Sequence, residues 1–240
     1  MRKTHILPFL RSAAVFIAVS LSSSCHHAVN NETADILEDV ESYMNERPDS
    51  ALTVIQSIGA DDLSSRELKA RHALLLSQAL DKNFIDLQSD SIIAPAVKFF
   101  EKSGDREALF KAYYYHARVL SNAGRYTEAM QIYLKAEEMS AKVNDLFAVG
   151  LLHSQFGGLN SMYFNYPKAI EYYQKAQEYY RQAGKDTHAH VCDLNLAQAY
   201  YENGQKEKGI ALYMDCLEWA HSVGYEAIFE SCLDQIFLYS

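Results

Sequence analysis

Apolar residues recur at helical spacing along most of the chain. From Ala112 to Ala136 the sequence reads AYYYHARVLSNAGRYTEAMQIYLKA, with one such pattern on each side of a break at Asn122-Ala123-Gly124. Spacing of i, i+3 and i+4 indicates amphipathic helices, and the alternation typical of strands is absent from the sequence. This stretch therefore predicts two helices joined by a short turn.

The hairpin pattern recurs with a period of 40 residues. Three columns of small residues and one of tyrosines lie in register: Ser77, Ala117, Gly157 and Ala197; Ala129, Ala169 and Gly209; Ala136, Ala176 and Cys216; Tyr133, Tyr173 and Tyr213. Two helices approach closely only where side chains are small, and large side chains fill the space between such points. Self-similarity at a fixed period predicts an all-α fold, an α-α superhelix or solenoid of helical hairpins.

A further column marks the ends of the second helices. It contains Gly104, Asn144, Gly184 and Gly224, again 40 residues apart. Glycine, and less readily asparagine, adopts the left-handed conformation that closes a helix. We therefore expect all four residues in that conformation.

These columns resemble the tetratricopeptide repeat (TPR) family. The family pattern is matched in order by Ala117, Gly124, Tyr126, Ala129, Tyr133 and Ala136, and again by Gly157, Tyr166, Ala169, Tyr173 and Ala176. The next unit matches at Gly204 and Tyr213 and departs at Lys206, Gly209 and Cys216. The usual period is about 34 residues, so the longer period here predicts helices of about 17 residues, roughly 25 Å long. The resemblance implies a general binding scaffold.

The pattern divides the chain into helical pairs. We expect pairs at 33–60, 64–103, 106–143, 145–183 and 186–223, then a half repeat at 226–240. Pro95 lies within a helix expected at 89–102, where it predicts a kink or a late start. The segment from Arg47 to Leu52, RPDSAL, resembles the opening pair in a group of TPR lipoproteins from Gram-negative bacteria.

Residues 1–24 have the features of a signal peptide. A basic start is followed by an apolar segment at 12–21 that is too short to span a membrane. Three serines then precede Cys25, which resembles a bacterial lipoprotein cleavage site and implies a lipid on Cys25 and a tether at 25–32. The alternative is an ordinary signal peptide with an incidental cysteine. With the lipid, we expect an exported, membrane-anchored protein that faces the periplasm.

Charge and motifs narrow the function. The net charge is −9, and it becomes −12 without residues 1–24, which carry three basic residues and no acidic one. An acidic chain argues against nucleic-acid binding. The sequence shows no phosphate loop, nucleophile elbow or HExxH motif, so we expect no enzyme, no cofactor and no metal site. His188 and His190 are interpreted as surface histidines.

Three cysteines remain beyond Cys25. Cys192 and Cys232 are at equivalent places on successive first helices, about 8–10 Å apart, which is beyond the reach of a disulfide. Cys216 is at a small packing position. We expect three buried free thiols, with a Cys216–Cys232 bridge as the exception.

The resemblance also implies a concave groove lined by the first helices. Carried over position by position, the candidate binding residues are Gln78, Lys82, Tyr114, Arg118, Asn122, Ser154, Met162, Leu194, Gln198 and Tyr201. The family's carboxylate clamp is missing from these positions, so capture of a free C-terminus is not expected. The mixture suits an extended peptide or a helix of another protein, and the alternative is an ordinary solvated groove.

Two functions from different classes remain open. The first is a lipid-anchored, non-enzymatic scaffold that binds a protein or peptide through its concave face. The alternative is the periplasmic sensing half of a membrane-bound transcriptional regulator whose transmembrane and DNA-binding parts lie beyond residue 240.

The final helix carries a stripe of Phe229, Leu233, Ile236 and Phe237, with Ile228, Cys232, Leu238 and Tyr239 on its other sides. We therefore expect it to be covered by further chain or by self-association.

Overall fold

A computed structural model describes residues 32–239 of the 240-residue chain, so Cys25 and the expected signal peptide lie outside the described residues. Every regular element within 32–239 is a helix. The predicted all-α solenoid of helical hairpins is confirmed. The chain forms two compact units, one up to Gly104 and the other from Asp105 onward.

Four helices build the described part of the first unit. They are α1 (residues 32–43), α2 (Pro48–Ser57), α3 (Arg66–Lys82) and α4 (Ile93–Ser103). Pro48 begins α2, where its fixed φ suits the first helical turn and its missing N–H is not needed. The core of this unit joins α1, α2 and α3 through buried side chains, among them Leu37, Val40, Met44, Ile55 and Leu75.

Pro95 determines where α4 begins. The helix starts at Ile93, four residues later than the expected residue 89, and Pro95 lies in its first turn. A proline is tolerated there because the first N–H groups of a helix have no partner within the helix. Of the two outcomes expected at Pro95, the structure has the late start.

Seven helices build the second unit. They are α5 (Arg106–Asn122), α6 (Tyr126–Ser140), α7 (Leu146–Met162), α8 (Tyr166–Gln182), α9 (Asp186–Glu202), α10 (Lys206–Val223) and α11 (Glu226–Tyr239). Each packs on the next, and α7 also contacts α9. Asp105 and Asp145 cap α5 and α7, because their carboxylates accept hydrogen bonds of 3.0 Å from the backbone N–H groups of Ala108 and Ala148. Such a cap typically contributes about 1 kcal/mol.

The small-residue columns lie buried in the contacts between helices. Ala129, Ala169, Ala117 and Ala197 are fully buried. A Cβ atom added to Gly157 would lie 2.5 Å from the ring of Tyr173, so only glycine fits against that tyrosine. The predicted core columns are therefore the core of the second unit.

The helix-end column behaves as expected at three of its four members. Gly104, Gly184 and Gly224 have φ angles of 83°, 65° and 69°. Asn144 has no positive φ, so the expectation for it is wrong. The reason is that α6 ends early, at Ser140, and the N–H of Asn144 donates instead to the carboxylate of Glu107 at 2.7 Å.

The buried face of α11 differs from the expected stripe. Ile228 and Cys232 are buried, at 9% and 0% exposure, in a cluster with Cys216 and Ala220 of α10. Phe237, assigned to the packed stripe, is 79% exposed. The stripe was therefore placed on the wrong face at its C-terminal end.

Candidate protein-binding surface

The first helices of the second unit, α5, α7 and α9, carry eight of the ten candidate binding residues. We call the surface that these three helices present the first-helix face. Its neighbours are in direct contact, since Nη1 of Arg118 on α5 donates to Oε1 of Gln155 on α7 at 3.2 Å. The remaining two candidates, Gln78 and Lys82, lie on α3 of the first unit.

The eight candidates differ in exposure. Met162 and Gln198 are exposed; Arg118, Asn122, Ser154, Leu194 and Tyr201 are half-buried; Tyr114 is buried. Nζ of Lys206 lies 5.0 Å from the ring centre of Tyr201, which adds a cation at the end of α9. The face therefore offers amide, guanidinium, thioether and aromatic groups together.

Tyr114 belongs to the core and not to the binding surface. It is 4% exposed, and its ring lies 4.9 Å from that of Tyr115 and 6.1 Å from that of Tyr133. This corrects the expectation that Tyr114 contacts a partner without supporting the fold. Its helix position lies at the seam between α5 and α6, where a large ring turns inward.

In the first unit, Gln78 is buried as well. Its side chain is 6% exposed, and its Oε1 atom accepts no hydrogen bond from any described residue. Lys82, at the last position of α3, is half-buried. Gln78 is therefore not offered to a partner in this arrangement.

The turn between α7 and α8 adds Tyr163 and Phe164, which the sequence pattern did not indicate, to the candidate Met162. Met162, Tyr163 and Phe164 are 50%, 57% and 78% exposed, and together they form what we call the apolar turn. Phe164 has a φ of 59°, a left-handed conformation that costs a residue with a Cβ roughly 1–2 kcal/mol. A signal was available, because Gly124 and Gly204 hold the equivalent turn positions one period away on each side.

A pocket of about 470 Å³ lies elsewhere in this unit, beside His153 of α7. The His153 ring stacks between Tyr172 and Tyr179 of α8, with centroids 5.8 and 5.3 Å away, and is 4% exposed. Its Nδ1 atom has no hydrogen-bond partner among the described residues. Burial, and then the charge of Lys175, lower the pKa of His153 to about 4, so the ring is neutral at pH 7.

A buried carboxylate lies between α8 and α9. Asp193 is 3% exposed and accepts a hydrogen bond from Nε2 of Gln177, with Arg181 at 4.0 Å and Nδ1 of His190 at 3.5 Å. Burial raises the pKa of Asp193, while Arg181, Gln177 and His190 oppose that rise. His190 is half-buried and stacks on Trp219 at 4.1 Å, so it is more than the surface histidine expected.

The three cysteines of the described chain are free and buried, as expected. Burial raises the pKa of the Cys192 thiol to about 12 and that of the Cys232 thiol to about 11. The Cys192 thiol donates to the carbonyl oxygen of Tyr173 at 3.4 Å. These thiols therefore act as packing groups.

The family comparison matches the tetratricopeptide repeat at residues 110–143 and 194–221. The chain carries tetratricopeptide repeats. No curated protein sequence matches it. TPR modules generally serve as non-enzymatic scaffolds that bind proteins or peptides, and stacked repeats create extended binding surfaces suited to that role.

Several solved structures share the TPR fold. One is a STAND signal transduction ATPase with a tetratricopeptide repeat sensor from Pyrococcus horikoshii, at 18% identity and a TM-score of 0.67, over 86% of this chain and 32% of that one. The apo form of RapI matches at 14% identity and a TM-score of 0.63, over 86% and 59%. BtubC from P. vanneervenii matches at 14% identity and a TM-score of 0.53, over 89% and 90%.

At these identities the likeness shows the TPR fold alone. The chain spans about a third of the STAND protein and somewhat over half of RapI. Within residues 32–239, no helix is both long and apolar enough to cross a membrane.

Proposed function

We propose that this chain is a non-enzymatic TPR scaffold that binds a peptide or protein segment along the first-helix face of its second unit. The observation that carries the proposal is the apolar turn, where Phe164 is held exposed in a left-handed conformation beside Met162. Strained backbone positions cluster at ligand-binding sites, and glycine would meet the need of this turn without strain.

The composition of the face supports a protein partner. Aromatic residues, Met and Arg are enriched at protein interfaces, and this face combines Arg118, Met162 and Tyr201 with the amides of Asn122 and Gln198. Because the positions of the carboxylate clamp are occupied by other residues, the partner is held by its side chains rather than by a free C-terminus. The apolar turn supplies the hydrophobic anchor, and the amides supply contacts that fix register.

Photo-crosslinking tests this assignment residue by residue. A benzoylphenylalanine at position 164 or 198 should give partner adducts in cells that produce the whole chain. Leu134 on α6 and Met214 on α10 are the controls, because they are apolar and also exposed, at 45% and 43%, but lie on second helices. Adducts from 134 and 214 equal to those from 164 and 198 would contradict the proposal.

We further propose that Cys25 carries a lipid that holds the scaffold at a membrane facing the periplasm. Support comes from the sequence alone, since the apolar segment 12–21 and three serines precede this cysteine. Metabolic labelling with an alkyne fatty acid should mark the wild type and not Cys25→Ala. Cys232→Ala is the control that should keep the label, and equal labelling of Cys25→Ala would exclude the anchor.

A sensing role within a larger regulator is the second candidate. It is favoured by the likeness to a protein whose TPR part is a sensor. A sensor would transmit the bound state to further chain, whereas a scaffold only holds its partner. Sequencing the gene beyond the codon for Ser240 separates the two, because the regulator requires a transmembrane segment and a DNA-binding domain there.

A further inference from the structure

A second surface of distinct chemistry lies in the first unit, between α3 and α4. It is a pocket of about 570 Å³, and its lining includes four cations, Arg66, Lys69, Lys98 and Lys102, and an apolar floor with Pro95 and Phe99. We call it the basic pocket. Its volume is within the range of about 300–1,000 Å³ that is typical of ligand sites.

The charge of the basic pocket runs against that of its surroundings. Residues 32–104 contain seven Lys and Arg and fourteen Asp and Glu. Four of those seven cations line this one pocket, and none of the fourteen acids does. Such segregation leaves a local positive field on an acidic protein, and fields of this kind attract oppositely charged partners.

The four cations are available for binding. All four are exposed, and none forms an ion pair with a described residue. No carboxylate of the described residues therefore lies within ion-pair distance of them. An anionic partner would not have to displace an internal carboxylate.

The arrangement of the cations suits an extended chain. Arg66 and Lys69 are one turn apart on α3, and Lys98 and Lys102 are one turn apart on α4, so each pair spans about 5 Å along its helix. Side chains on the same face of an extended peptide are about 7 Å apart. The long, flexible Lys and Arg side chains of the pocket can reach carboxylates at that separation. Phe99 and Pro95, which line the same pocket, offer a surface for one apolar side chain.

We propose that the basic pocket binds an acidic segment of a partner protein, with one apolar side chain of that segment on Pro95 and Phe99 and its carboxylates beside the four cations. A bilayer surface fits less well, because it is flat on this scale and does not match a pocket. The site is separate from the first-helix face, and the proposal does not depend on it.

Fluorescence anisotropy with a defined probe tests the proposal on the whole purified chain. The probe is a fluorescein-labelled peptide of nine residues, four glutamates on each side of one phenylalanine. Lys98→Glu combined with Lys102→Glu should weaken binding at least tenfold, and binding to the wild type should weaken as salt is raised. Unchanged circular dichroism melts show that the variant is folded.

The control has the same change in net charge. Lys142→Glu combined with Lys208→Glu reverses two exposed cations of the second unit and should change affinity less than twofold. A probe with glycine in place of phenylalanine should bind at least threefold more weakly, because the apolar floor is then unused.

Three results would overturn the proposal. One is no binding of the probe to the wild type, and another is equal weakening by the two double variants, which would indicate only general charge attraction. The third is an unchanged peptide affinity in Lys98→Glu/Lys102→Glu together with lost binding to vesicles of phosphatidylglycerol and phosphatidylcholine, which would assign the cations to a lipid surface.

Discussion

Phe84 and Phe164, two repeat periods apart, adopt the same left-handed backbone conformation, with φ angles of 57° and 59°. Gly124 and Gly204 hold the equivalent turns of two other repeats, at 73° and 78°. These four turns share one conformation, while the sequence alternates between glycine, which adopts it freely, and phenylalanine, which does not. Both phenylalanines are exposed, at 94% and 78%.

Phe164→Gly should stabilise the fold and weaken partner binding. Relief of the left-handed strain gives roughly 1–2 kcal/mol, and the greater freedom of glycine in the unfolded chain offsets about 0.5–1 kcal/mol of it. We expect a net gain of about 0.5–1 kcal/mol in urea denaturation. Tyr163→Gly is the control, since Tyr163 has a φ of −92° and should only lose stability. A loss of stability in Phe164→Gly would contradict the strain argument.

Gly157→Ala and Gly158→Ala should have opposite effects. The added Cβ at 157 meets the ring of buried Tyr173 at 2.5 Å, whereas that at 158 lies 3.8 Å from the Tyr173 hydroxyl oxygen, an ordinary contact. Overpacking should destabilise the first variant by about 1–3 kcal/mol. The second should gain up to about 1 kcal/mol from helix propensity. Equal urea midpoints for the two variants would show that this helix contact is misplaced.

The stability of the second unit should fall as the pH falls from 6.5 to 4, because of His153. The pKa of its ring is about 4 in the folded chain against an ordinary 6.5. Between these values the unfolded chain takes up a proton that the folded chain does not, so the stability present above pH 6.5 is progressively lost. The full shift corresponds to about 3 kcal/mol.

His153→Phe is the variant that isolates this effect. Phenylalanine can keep the stacking on Tyr172 and Tyr179 without a titratable group. The difference in unfolding free energy between wild type and variant should therefore change across pH 4 to 6.5 and be constant above pH 7. A difference that is flat across the whole range would show that His153 is not buried as a neutral ring.

The C-terminal helix should associate through its exposed end. Phe237 and Leu238 are 79% and 74% exposed, side by side near the end of α11. Phe237→Ser combined with Leu238→Ser should lower the sedimentation-equilibrium mass of the isolated chain toward that of a monomer. The free energy of unfolding should change by less than about 0.5 kcal/mol. A wild type that is already strictly monomeric, with no binding of an apolar dye, would refute self-association.

The fold was predictable because close helix packing restricts residue type. Ala169 and Gly157 recur in register with other small residues, and no property other than contact requires that. Exposure was less predictable. Helical periodicity shows which residues share a stripe, but it does not show which neighbouring helix, if any, covers that stripe. Tyr114 at a helix seam and Phe237 beyond the packed end of α11 both show this ambiguity.

Candidate binding residues could be predicted from the sequence only where they lie close together along the chain. The cations of the basic pocket come from two helices separated by a long turn, so their convergence required the hairpin geometry. Phe164 was not predicted for another reason. In a sequence, glycine is the residue that indicates a left-handed turn. Phe164 adopts that conformation although it is not a glycine.

The packing order of the second unit also determines how partner binding would affect the lifetime of its folded state. Each helix there rests mainly on its immediate neighbours, so opening can start at α11 and proceed inward one helix at a time. A partner held at the α7–α8 turn would block that progression midway. Amide hydrogen exchange would then slow in α5 to α8, while α11 continued to exchange. The helices on the bound side of the turn would also become more resistant to proteolysis when the partner is present.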